Sequence, residues 1–62
     1  MCQVNACLIS EGSEKEIMED VQLLDFEGDD LVLRDLFGDV KRLKARIKLI
    51  NLAKHKILLE EL

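Results

Sequence analysis

Proline, tryptophan and tyrosine are absent from this chain, and its 62 residues include only two phenylalanines, two cysteines and one histidine. Without proline, chain reversals fall to the three glycines, and no polyproline linker divides the chain. So few aromatics imply an aliphatic core and leave nucleic-acid bases little to stack on. Two cysteines exclude a disulfide-dense secreted scaffold, and with a single histidine they do not make a zinc framework. No apolar run has the length of a signal-peptide core or a membrane span. The expectation is one small domain, residues 1–62, in a reducing cytoplasm, near the size at which burial alone leaves stability marginal.

Charge divides along the chain. Residues 1–39 hold eleven acids against Lys15 and Arg34, a balance of −9, and residues 40–62 hold seven bases against Glu60 and Glu61, a balance of +5, which together give the net −4. The bases concentrate at Lys41, Arg42, Lys44, Arg46 and Lys48, the pattern an RNA-binding strand would need. A pI near 4.8 and the missing Tyr and Trp argue against nucleic acid as a partner. Pairing of that basic face with Glu16, Glu19 and Asp20 on neighbouring strands is the simpler reading.

Gly12, Gly28 and Gly38 stand in Ser10-Glu11-Gly12-Ser13, Glu27-Gly28-Asp29-Asp30 and Phe37-Gly38-Asp39, each read as a hairpin turn. Asn51 to His55 reads as a fourth break without glycine. Between the breaks apolar residues alternate as half-buried strands require: Val4, Ala6 and Leu8, then Ile17, Val21 and Leu23, then Leu31 and Leu33. Leu43, Ala45, Ile47 and Leu49 alternate with Arg42, Lys44, Arg46 and Lys48, which predicts one dry and one wet face, and Lys56 to Glu60 supplies a closing strand. Val40, Leu43, Ile47, Ile50 and Ile57 also fit a helical seam, so periodicity alone leaves residues 40–62 between helix and strand. Tight turns upstream favour an all-β fold, a small five-stranded antiparallel barrel.

Cys2 is the candidate metal ligand. A thiolate next to a terminal amine offers sulfur and nitrogen in five-membered chelate rings, a donor set suited to Ni(II) or Cu(II). With Met1 removed, the pair is the Cys2 amine and thiolate; with Met1 retained, the donors are the Met1 amine, the Cys2 amide nitrogen and the Cys2 sulfur. Neither set completes a square plane, leaving places for Gln3 or Asn5 oxygens, water, or a second copy of the chain. Two N-termini meeting across a two-fold axis would supply two sulfurs and two nitrogens, so a shared site predicts a symmetric homodimer.

Cys7, an odd number of residues further along, points to the opposite face of an extended strand from Cys2 and is expected to pack there. His55, between two lysines in a turn, is expected to be solvated. Asp25, Glu27, Asp29 and Asp30 around Gly28 do not follow the spacing of a calcium loop. The sequence points to no nucleophile-base set and no phosphate-cradling loop, so a non-enzyme is expected.

Taken together, Met1-Cys2-Gln3-Val4-Asn5-Ala6, Glu19-Asp20-Val21, the Phe37-Gly38 turn, Lys44-Ala45-Arg46-Ile47-Lys48 and His55-Lys56-Ile57-Leu58-Leu59-Glu60 resemble the CooT family, small nickel-binding accessory proteins of carbon monoxide dehydrogenase maturation. The likeness spans essentially the whole chain, and the second-position cysteine is its most specific element. It implies a homodimeric, Sm-like β-barrel that binds Ni(II) through Cys2, strand in place of helix over residues 40–50, and a partner in nickel-enzyme maturation. It assigns Cys7 no role, cysteine standing there where the family commonly has an aromatic residue. An RNA-binding Sm-like domain using residues 41–48 is the alternative, resting on fold analogy alone.

Overall fold

A computed structural model describes residues 3–62. The strands are β1 (Asn5–Ser10), β2 (Ser13–Met18), β3 (Val21–Glu27), β4 (Asp30–Asp35), β5 (Val40–Asn51) and β6 (Lys56–Glu61). The all-β expectation stands, and residues 40–51 are strand. Alternating charged and apolar residues suit a sheet with one wet face, whereas a helix would scatter them around its circumference.

The glycine-marked turns fall where the sequence places them. Glu11 and Gly12 have φ of +51° and +79°, the doubly positive pattern of a type I′ turn. At the next hairpin the positive φ, +63°, falls on Gly28, the first of its two turn residues, as in type II′. Both turns match the twist of the strands they join.

Three features depart from the five-stranded antiparallel barrel. First, there are six strands, because Ile17 lies on β2 while Val21 and Leu23 lie on β3. The chain reverses between them without glycine: Asp20 takes φ +53° and donates its amide to Asn5 Oδ1 at 3.2 Å. Second, β1 and β6 pair in parallel, the other four pairings being antiparallel. Third, the sheet order β2-β1-β6-β5-β4-β3 leaves β2 and β3 as edges, so the sheet is not closed. β2 and β3 are consecutive, yet an extra residue bulges from each beside their turn, Ile17 opposite Ala6 and Cys7, Gln22 opposite Asp35 and Arg34. Such bulges bend the two strands apart and end regular pairing.

β5 bends the sheet over itself. Its first part, Val40 to Lys44, pairs with β4 and its second, Ala45 to Asn51, with β6. The core lies inside this fold: Ala6, Met18, Leu31, Leu33, Ala45, Ile57 and Leu59 are buried together, with Val4, Leu8, Ile17, Val21, Leu24, Leu43 and Ile47 packed against them. It is aliphatic apart from one thioether, and each fully buried leucine contributes about 1.5–3 kcal/mol. A third bulge, at Lys48 between the Ile47–Leu59 and Leu49–Leu58 pairs, shifts the alternation by one residue. Leu49, expected on the dry face, therefore lies beside Leu58 and Ile50 opposite Ile57, and both are exposed.

Candidate metal site and its surroundings

Cys2, the predicted ligand, and Met1 lie outside the described residues. What the structure fixes is the chain immediately after them. The Val4 carbonyl accepts the amide of Val21 at 2.7 Å, and the Asn5 amide donates to the His55 carbonyl at 2.9 Å. The Asn5 side-chain oxygen holds the Asp20 amide, and the Asp20 carbonyl in turn accepts the Leu36 amide at 3.0 Å. The start of β1 is thus tied to the β2–β3 turn and the β5–β6 turn, and through Asp20 to the β4–β5 loop. Gln3 is exposed, while Asn5, a candidate oxygen donor in the sequence reading, spends that oxygen on the Asp20 turn. His55 is exposed, as expected of a solvated histidine; its φ of +54° accompanies a carbonyl directed at Asn5, a backbone role its sequence did not signal.

Cys7 is buried, 3% exposed, yet it belongs to the outer face of the sheet. Its register partners are Glu16 and Leu58, and its chain neighbours Ala6 and Leu8 point to the core. The cover is an ion pair: Lys56 Nζ on β6 meets Glu14 Oε2 on β2 at 2.6 Å, reaching diagonally across β1 over the row of Cys7. Burial, then the Glu14 carboxylate, push the Cys7 thiol above its ordinary value, and the Glu14 hydrogen bond raises Lys56. A thiol that is covered and reluctant to ionise is a poor metal ligand and a poor nucleophile.

The basic strand is paired with acids, but not with Glu16, Glu19 or Asp20. Arg42 bonds Glu27 at 2.7 Å and Asp30 at 3.1 Å, Lys44 bonds Asp30 at 3.2 Å, and Arg46 bonds Glu60 through Nε at 2.6 Å. Lys44 and then Arg42 hold the Asp30 carboxyl below its ordinary value, and Glu27 and then Asp30 raise Arg42. Lys41, exposed and in register with Leu33, donates to the carbonyl of the bulged Ile17 at 3.3 Å. The partners differ from the expectation because β5 lies between β4 and β6 while β2 is at the far edge.

The β4–β5 loop, residues 36–39, is a feature that the turn reading of Phe37-Gly38 did not disclose. Asp35 Oδ1 accepts the amides of Phe37 and Asp39, both at 2.9 Å, and the Asp35 amide donates to the Asp39 carbonyl at 3.0 Å. An aspartate two residues before Phe37 was the available signal, since it caps its own turn in this way. Locked in that frame, Leu36 and Phe37 point into solvent.

Among the described residues no three of His, Cys, Asp and Glu are grouped as a metal would require, and no cavity forms. Fold and surface define a small, open all-β protein whose hydrogen-bonded end presents the chain's first strand. A family model described as the CO dehydrogenase accessory protein CooT matches residues 1–60. The crystal structure assigned to CooT from Carboxydothermus hydrogenoformans superposes with a TM-score of 0.90 at 34% identity, covering 98% of each chain. An uncharacterized protein of Methanocaldococcus jannaschii is 43% identical over 44 residues, 71% of this chain and 77% of that one. The chain belongs to the CooT family of CO dehydrogenase accessory proteins.

Proposed function

We propose that this chain is a cytoplasmic Ni(II)-binding accessory protein, not an enzyme, that carries nickel as cargo on the Cys2 thiolate at the interface of a homodimer and serves CO dehydrogenase maturation. The family match over residues 1–60, a span that includes Cys2, carries this reading. The described residues favour it indirectly. Cys7 is covered by Lys56 and Glu14 and its ionisation is suppressed, which leaves Cys2 as the thiol suited to bind. A donor set centred there needs further donors, such as a second copy would bring, and the start of β1, three residues later in the sequence, is held by three turns. The RNA alternative gains no support, because Arg42, Lys44 and Arg46 already have acid partners.

Calorimetric titration with Ni(II) tests the proposal. The expected stoichiometry is about one nickel per two chains, with binding lost in Cys2→Ser and kept in Cys7→Ser. Affinity should fall as pH drops below neutral, because nickel must displace the proton of a thiol whose ordinary pKa is about 8.5. Tight binding by Cys2→Ser would refute the site.

A further inference from the structure

The β4–β5 loop has the construction of a recognition knob. Its tip exposes Phe37 (80%) and Leu36 (54%), and Val40 (57%) follows at the start of β5. Exposed apolar residues on a floppy loop would be unremarkable, but this loop is fixed at every turn of its backbone. Asp35 Oδ1 takes two amides, the Asp35 and Asp39 backbones bond each other, the Gly38 amide donates to the Asp35 carbonyl at 3.1 Å, and the Leu36 amide donates to the Asp20 carbonyl. Holding a bulky aromatic out in water on a rigid frame lowers the ordering cost of binding, and a lone anchor of this kind characterises interface hot spots.

The surrounding charge identifies the occupant. Glu19 and Asp20 lie on the turn bonded to this loop, Asp35 ends β4 at its base, and Asp39 is on the loop itself. Arg34 and Lys41 flank the loop along the chain, and Lys41 is engaged with the Ile17 carbonyl. An apolar pocket rimmed by Lys and Arg on another protein fits both the aromatic tip and the acids. The same Asp20 bridges the loop to Asn5, three residues from Cys2.

We propose that Leu36, Phe37 and Val40, ringed by Glu19, Asp20 and Asp39, form the docking surface for the client enzyme, placing its basic-rimmed pocket at the end of the sheet where β1 begins. This rests on the accessory role proposed above and adds the surface and the chemistry of its partner.

Immobilised, purified CO dehydrogenase from the same cells, titrated with this protein, is the test. Wild type should bind with affinity falling as salt rises; Phe37→Ser should weaken binding about tenfold or more. Phe37 is too exposed for its loss to unfold the sheet, and Asp35→Ala provides a second route by releasing the loop with Phe37 intact. Undiminished binding by both variants overturns the docking surface while leaving the accessory role standing. No binding by wild type removes the accessory reading and this inference with it. A dimer that dissociates in Phe37→Ser by sedimentation would make the loop a contact between copies and overturn the client assignment.

Discussion

The two ends of this sheet are built by different means. At one, the hairpin tips Glu11–Gly12 and Gly28–Asp29 turn within two residues, use positive φ at glycine, and carry charge. At the other, the start of β1, the 19–20 turn, the 36–39 loop and the 52–55 turn are joined by hydrogen bonds between residues distant in sequence, and the surface is apolar at Leu36, Phe37 and Leu52. The two tips of the first end close their turns on their own residues, and distant residues reach their flanks only through exposed ion pairs. The second forms only when the whole chain is folded, and it is where β1 begins, three residues after Cys2 in the sequence. Long-range hydrogen bonds there fix exposed apolar side chains at the same end as the start of β1.

Substitutions can break this contrast. Leu59→Ala, in the core common to both ends, should cost about 2–5 kcal/mol in urea unfolding and sets the scale. Asn5→Ala should cost about 1–2 kcal/mol by orphaning the Asp20 amide. Its signature is faster hydrogen exchange at Asp20 and Leu36 with the 28–29 hairpin unmoved; equal acceleration at both ends would deny that the network is local to one. Gly28→Ala should cost about 1 kcal/mol, from backbone conformation alone, because an added Cβ meets nothing within 4 Å. Nickel binding should be unaffected by it.

The smallest effects concern Cys7. Removing its cover with Lys56→Met should speed reaction of the Cys7 thiol with an aromatic disulfide, read in a Cys2→Ser background, with little change in unfolding midpoint. The folded chain holds the Cys7 proton more tightly than the unfolded chain does, so this contribution to stability is whole below the ordinary thiol value of about 8.5 and is lost as pH rises through the raised one. Alkaline unfolding of wild type and Cys7→Ala should therefore converge toward high pH, and parallel curves would deny the coupling.

Much of the fold is legible in local chemistry. Gly12 and Gly28 need positive φ, so their turns are written in the sequence, and the Lys and Arg alternation from residue 41 to 48 marks a strand. The departures come from long-range causes. The 19–20 reversal depends on Asn5, fifteen residues away; the bulges at Ile17, Gln22 and Lys48 have no glycine to announce them; the parallel β1–β6 pair joins opposite ends of the chain. The Lys48 bulge alone moves Leu49 to the wet face. Of the candidate site, the sequence named Cys2 and the inert packing of Cys7, and the structure supplies the reason for the second. The Phe37 loop was hidden because its lock is a single carboxylate that reads as one more acid in an acidic half.

The two thiols make the decisive comparison. Ni(II) added to wild type, Cys2→Ser and Cys7→Ser should give intense sulfur-to-metal charge-transfer absorption in the wild type and Cys7→Ser and none in Cys2→Ser. Absorption that survives in Cys2→Ser and vanishes in Cys7→Ser would contradict the assignment of nickel to the N-terminal cysteine.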